Sequence, residues 1–289
     1  MTQSKIDLNP YNHRAGVQGF LDYYHIQPQK PSKDYLVEIL THYAGLPYEN
    51  LSKIVKLAQD YTAPQRIRLP EEVMDQHARF RLGGTCFSLT YFLQAILADQ
   101  NFLCYPVIAH MQRMRDSHCA LIVLFNEQHY LVDPGYLLNQ PMEVHPDRQR
   151  IYRTPHTGVE LVFHPADEHY HVYTFNREQL KFRYAFQDKP LEMPEFLEHW
   201  HRSFYWSGMR DICLTQVNDE GMVFVNGTFV QVQNLQGKQK GQVSDIHRLV
   251  QETFEIPPEW IDNARAALPK IIQLGQEHGY YRIRSEDEK

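Results

Sequence analysis

The sequence is poor in the features that would place it quickly in a non-catalytic class. It has only four cysteines in 289 residues, Cys86, Cys104, Cys119 and Cys213, with no CxxC pair and no dense cluster. That excludes a disulfide scaffold and paired-thiolate zinc signatures, and it makes a reducing compartment, the cytoplasm, the expected location. No run approaches the roughly 18 to 20 apolar residues that cross a bilayer, and residues 1–9 lack the apolar segment of a secretion signal. A membrane is therefore not an expected partner. Positive charge is not in excess either: 29 Lys and Arg stand against 35 Asp and Glu, a formal net charge of −6. Binding to phosphate backbones needs a basic surface, so nucleic acid is not an expected partner. A few local basic groups or a helix N-terminus still suffice for a small anionic co-substrate. GxGxxG and P-loop patterns, internal repeats and low-complexity tracts are missing as well. The pairs His169-x-His171 and His199-x-His201 have neither a zinc spacing nor cysteine company. They read as polar surface, and no metal is expected.

What the chain does have is enough length and apolar content, 43%, to bury roughly three quarters of its unfolded surface in one large domain or two to three small ones. Its first hundred residues read as helical. Tyr35, Leu36, Ile39, Leu40 and Tyr43 recur on one helical face and Gly45 follows as a stop. Residues 87–97 are apolar almost all round, as befits a helix buried on most sides, with Asn101 closing it. The character then switches to short β-branched and aromatic runs at 104–110, 119–125, 130–132, 159–163, 171–175 and 182–186. Later, 222–225 and 228–232 flank Asn226-Gly227, a two-residue hairpin signal. Residues 243–254 and 258–277 return to helical periodicity. The helix-to-strand switches set boundaries near residues 100 and 200.

The most informative stretch is Arg81-Leu82-Gly83-Gly84-Thr85-Cys86-Phe87-Ser88. Two glycines permit a tight turn before a helix, and a cysteine in that helix's first turn sits at the positive end of its dipole. The thiol pKa should fall there below about 8.5, which makes Cys86 a candidate nucleophile; the bland reading is a small buried apolar side chain. A thiolate nucleophile works with a histidine, and the histidine with an orienting carboxylate. His118 opens one apolar run and Asp133 closes the next. The intervening Asn126-Glu127-Gln128 would fold them into an antiparallel hairpin with His118 and Asp133 side by side.

These residues resemble a known family. Arylamine N-acetyltransferases carry Arg-Gly-Gly-x-Cys, then a histidine opening a strand, then Val-Asp-x-Gly. Gly83-Gly84-Thr85-Cys86, Ser117-His118-Cys119-Ala120-Leu121 and Leu131-Val132-Asp133-Pro134-Gly135 stand in that order here. Upstream, Leu46-Pro47-Tyr48-Glu49-Asn50-Leu51 is similar to the family's Ile-Pro-Phe-Glu-Asn-Leu segment; residues 222–230 and 250–257 are similar to its C-terminal hairpin and following helix. Leu82 stands where the family has arginine, Ser88 where Glu or Gln is common, and Pro134 and Tyr136-Leu137 alter the Asp-x-Gly continuation.

The resemblance implies an α+β fold with a papain- and transglutaminase-like core. A helical bundle over 1–100 would carry the nucleophile, an antiparallel β-barrel over 101–200 the histidine and aspartate, and 201–289 would form an α/β lid. It implies Cys86, His118 and Asp133 as a triad, with Tyr48, Phe87 and Gly135 as substrate- or coenzyme-binding positions. Acetyl-CoA would be the donor, and an arylamine, arylhydrazine or related small amine the acceptor. Two other readings keep the same residues: an amide synthase, transglutaminase-like or hydrolytic cysteine enzyme, and a catalytically silent binding protein. Nothing in the sequence fixes the oligomeric state.

Overall fold

A computed structural model describes residues 6–59, 63–112, 114–154, 156–177 and 179–280. The N-terminal part holds α1 (Arg14–Tyr23), α2 (Lys33–Tyr43), a two-residue strand β1 (Tyr48–Glu49), α3 (Leu51–Ala58), α4 (Ala63–Arg66), α5 (Pro70–Phe80) and α6 (Cys86–Asp99). The expected face of α2 is the buried one, and Ser32 caps the helix by accepting a hydrogen bond from the Tyr35 N–H. α6 runs through the middle of this part with Cys86–Ala98 buried almost without interruption, which is why its sequence has no polar face. Asn101 follows it in the left-handed region, φ 64, which asparagine tolerates better than most residues.

Eight strands follow: β2 (Leu103–Met111), β3 (Met114–Phe125), β4 (Gln128–Val132), β5 (Met142–Val144), β6 (Arg150–Arg153), β7 (Gly158–His164), β8 (His169–Phe175) and β9 (Leu180–Phe186). They form one antiparallel sheet in the order β5-β4-β3-β2-β9-β8-β7-β6. The two end strands approach each other, with the Glu143 N–H donating to the Tyr152 hydroxyl at 2.7 Å and Arg150 paired with Glu143, so the sheet is a nearly closed barrel. The turn between β3 and β4 is Asn126-Glu127, both at positive φ (49° and 60°). That is the two-residue geometry that fits strand twist.

α7 (Met193–Arg202) leads into a second sheet made of β10 (Cys213–Asn218), β11 (Gly221–Asn226), β12 (Phe229–Gln233) and β13 (Lys238–Gln242), and α8 (Ile246–Phe254) and α9 (Glu259–Glu277) end the described chain. β1 joins this sheet at β10, in the order β1-β10-β11-β12-β13. The hairpin expected at Asn226-Gly227 exists but is shifted by one residue. Asn226 pairs with Phe229, leaving Gly227-Thr228 as the turn. The shift has a cause: Gly227 sits at φ 60 and donates its N–H to the Ile212 carbonyl, while Asn226 stays extended opposite Cys213. Strands β1, β5, β6, β10 and β13 were not expected from the sequence. Among the described residues no helix is long and apolar enough to cross a membrane.

Candidate active site

The glycine pair before α6 is required, for a different reason from the one the sequence suggests. Neither glycine is at positive φ. Instead the chain passes so close to residues 46–51 that a Cβ on Gly83 would lie 1.8 Å from the Pro47 carbonyl oxygen. Gly84 accepts from the Glu49 N–H at 2.9 Å and donates to Pro47 O at 3.3 Å. The guanidinium beside the glycines comes from Arg68, which donates to Gly83 O at 2.8 Å and lies 3.6 Å from the buried Glu49 carboxylate. Leu82, at the position of the motif's arginine, is fully buried, whereas Arg81 turns outward to Glu255 and Tyr23. Ser88 hydrogen-bonds the Thr85 carbonyl within the first turn of α6.

This scaffold fixes Cys86 as the first residue of α6, where backbone N–H groups have no partner within the helix. His118 and Asp133 come from the β3–β4 hairpin. The ladder ends at the pair Leu121 with Val132, so continuing the register sets Asp133 opposite Ala120 and returns His118 to the same face two residues on. They are diagonal neighbours rather than directly opposed, and His118 Nε2 lies 2.8 Å from Asp133 Oδ2. Cys86, His118 and Asp133 are only 6%, 4% and 0% exposed.

Asp133 has further partners that sequence reasoning missed. The Tyr184 hydroxyl donates to Oδ2 at 2.5 Å and the Tyr136 N–H to Oδ1 at 3.2 Å. The Tyr184 ring also lies against His118, centroids 4.7 Å apart. Tyr184 falls within the expected strand 182–186, but periodicity gives no sign that its hydroxyl reaches another strand's carboxylate.

The electrostatics single out one of the four free thiols. Burial pushes Cys104 and Cys213 up to about 12, and burial also raises Cys119 well above its ordinary value. Cys86 is held well below its ordinary value. The Cys119 thiol hydrogen-bonds it, burial opposes, and His118 and then the charge of Lys53 reinforce the shift. For His118, burial works against the charged ring. The charge and hydrogen bond of Asp133, together with Cys86, outweigh it and lift the imidazole to about 10. With Nε2 engaged by Asp133, Nδ1 is the nitrogen left for Cys86. These shifts favour a thiolate beside an imidazolium, the pairing in which a sulfur is a good nucleophile.

The sulfur opens on a cavity of about 480 Å³ whose lining includes Cys86, His118, Tyr48 and Gly135. Phe87 does not line it. One residue along α6 turns the side chain by about 100°, and the Phe87 ring is fully buried against Phe196 and Trp206, at 5.2 and 5.9 Å. The Phe87 side chain therefore packs into the core, and what this residue offers the cavity side of α6 is its backbone N–H. Of the histidine pairs, His171 bonds the Asp167 carboxylate at 2.8 Å and stacks on His164, while His199 and His201 lie on α7. Among the described residues no group of three or more His, Cys, Asp or Glu converges.

Gly135 closes the site from above. A Cβ there would lie 2.7 Å from His118 Cε1 and 3.1 Å from Cys86 Cβ. Gly135→Ala is expected to push the imidazole off its line to sulfur and lower turnover roughly a hundredfold, with a stability loss of about 1–3 kcal/mol. Steady-state rates and a thermal melt on the same sample check both figures.

A family model described as N-acetyltransferase matches residues 34–261. No curated protein matches the chain. Solved structures do. The arylamine N-acetyltransferase from Mycobacterium abscessus superposes with a TM-score of 0.75 at 13% identity, covering 94% of this chain and 99% of its own. That from Mycobacterium marinum in complex with CoA gives 0.73 at 17% identity, covering 88% and 99%. The Salmonella typhimurium enzyme gives 0.71 at 17% identity, covering 88% and 98%. At such identities the superpositions speak for the fold, and the family model for membership. The chain belongs to the N-acetyltransferase family and is an acyl-transferring enzyme with the fold of the arylamine N-acetyltransferases.

Proposed function

We propose that the protein moves an acetyl group from acetyl-CoA to a small amine, an arylamine, arylhydrazine or relative, through a thioester on Cys86. The observation that carries this reading is the buried Cys86–His118–Asp133 array at the cavity wall. In the first half-reaction the Cys86 thiolate attacks the donor's thioester carbonyl. The tetrahedral oxyanion faces the unpartnered N–H groups of the first turn of α6. The C–S bond to coenzyme A breaks and the departing sulfur takes the proton from His118 Nδ1, leaving S-acetyl-Cys86 and neutral imidazole. In the second, the amine nitrogen attacks the same carbonyl and gives a proton to His118. The Cys86–acyl bond breaks, and thiolate and imidazolium are restored beside the amide product. Asp133 orients the ring and favours its charged form throughout.

The cavity suits such a donor. Lys181, Arg183 and Lys238 line it, and among its described lining residues none is Asp or Glu. That is a cationic wall in a chain of net charge −6. A donor bearing phosphates fits this wall, and a Mycobacterium marinum relative of the same fold holds CoA. The three chain segments 1–100, 101–200 and 201–289 then divide the work, the first supplying the thiol, the second the histidine and aspartate, and the third a wall of the cavity.

The test is intact mass after mixing with acetyl-CoA and no acceptor. The expected result is a gain of one acetyl group that disappears on adding an arylamine. Persistence of the unmodified mass with acetyl-CoA would sink the reading. A companion measurement is alkylation rate against pH. At pH 6 an ordinary thiol is less than about 1% ionised, whereas Cys86, with its depressed pKa, should still react well above that level. Replacing His118 by alanine should remove that low-pH reactivity.

A further inference from the structure

One buried cation in the cavity takes no step in the chemistry above beyond favouring the Cys86 thiolate. Lys53 lies in α3, is 6% exposed, and lines the cavity together with Cys86. Its Nζ donates to the Ser203 carbonyl at 2.9 Å and to the Ser203 hydroxyl at 2.6 Å. It also lies over the rings of Phe204 and Trp206, at 4.7 and 6.0 Å from their centroids. An ammonium has three N–H groups, and two are used. No carboxylate among the described residues pairs with it, although Asp and Glu outnumber Lys and Arg in the chain. Burial pulls it down to about 8, and the charge that opposes this is that of the Cys86 thiolate.

A buried cation without a counter-ion is costly, and proteins normally give it one. Here the resting counter-charge is the Cys86 thiolate. Acylation removes that charge: once sulfur carries an acyl group, Lys53 faces the cavity with no anion beside it. A substrate that brings its own carboxylate to this end restores the pairing, and a neutral one does not. The other cations of the lining, Lys181 and Arg183 on β9 and Lys238 on β13, act on one another, and none of them is among the charges that act on Lys53.

We propose that Lys53 is a specificity-determining residue that selects a substrate carrying a carboxylate close to its reacting carbonyl or amine. This rests on the acyl-transfer reading above. The carboxylate has two possible sources, the acyl chain of the donor or the body of the acceptor, and the experiment separates them. In the donor arm, acylation of Cys86 is followed by intact mass with butyryl-CoA against succinyl-CoA, acyl groups of similar length with and without the charge. In the acceptor arm, discharge of the acetyl-enzyme is followed with 4-methylaniline against 4-aminobenzoate. The latter is the weaker nucleophile, so a preference for it opposes intrinsic reactivity.

The expected result is a rate ratio of at least about tenfold for the carboxylated member in one arm, collapsing towards one in Lys53→Met and partly kept in Lys53→Arg. Each ratio compares two substrates at the same thiol, so a change in Cys86 ionisation cancels. Ratios near or below one in both arms of the wild-type protein overturn the assignment. So does a ratio that Lys53→Met, or Lys53→Gln should the first variant fold poorly, leaves unchanged. Equal acylation by both donors with equal discharge defeats this proposal alone. No acylation by any CoA thioester defeats the acyl-transfer reading and this one with it.

Discussion

Replacing Cys86 by alanine is expected to lower acyl transfer by at least ~10⁴-fold, the scale seen when a covalent nucleophile is lost from a preorganised site. The cavity, the first-turn N–H groups of α6 and the His118–Asp133 pair all remain, so donor binding should survive while the acetyl mass gain disappears. The fold should tolerate the change, with a stability difference of about 1 kcal/mol or less, because alanine keeps the helix and the thiol is the only group lost. The remaining thiols do not substitute for it, since burial holds Cys104, Cys119 and Cys213 in the protonated form. Intact mass after acetyl-CoA, together with steady-state turnover, checks the result. Acetylation of the variant on another cysteine would overturn the assignment of Cys86.

Asp133→Asn is expected to be nearly as damaging, with turnover falling by ~10³–10⁴ at neutral pH. The carboxylate accepts from His118, Tyr184 and the Tyr136 N–H at once. An asparagine presents one oxygen and an NH₂ to the same three donors, so at least one contact becomes donor against donor, and two if the NH₂ replaces Oδ2. The larger loss is the charge. Burial alone lowers the His118 pKa, and Asp133 is the main influence reversing that. Without it the ring becomes neutral, and the Cys86 thiolate loses its cation. The sign follows: removing a stabiliser of the thiolate raises the Cys86 pKa, so the alkylation profile should move to higher pH, towards the ordinary value near 8.5. A variant whose profile stays where the wild type's lies would contradict the charge argument even if its turnover fell.

Much of the fold was legible because periodicity carries it. α2 and α6 were readable from one apolar stripe and one apolar cylinder, and the long barrel strands from their β-branched and aromatic runs. β13 was not, because Lys238–Gln242 is an exposed strand of polar residues with no buried face to pattern. β5 and β6 are too short, three and four residues, to set a period. The partnership of β2 with β9 joins segments far apart in the chain, which no local pattern specifies.

At the site, Cys86 was visible from its glycines and His118–Asp133 from a hairpin, because each depends on neighbours in sequence. Tyr184, Arg68, Cys119 and Lys53 were not, because each acts across the fold on a residue from another segment. Phe87 shows the converse: adjacent to the nucleophile in sequence, its side chain is turned by about 100° around α6 and packs in the core.

The segment at residues 46–51 has a thermodynamic consequence. Asn50 accepts from the Cys213 N–H across a separation of 163 residues and donates to the carbonyls of Gly208 and Asp211, while β1 pairs with β10 and the neighbouring Pro47 abuts Gly83. The segment that abuts the glycines before the nucleophile is therefore clamped by chain made much later. Closing so long a loop is slow relative to forming the helices, so a half-synthesised chain can hold α6 without its reactive sulfur being assembled. The thiolate belongs to the finished molecule: its activation and the global stability of the protein should rise and fall as one cooperative property.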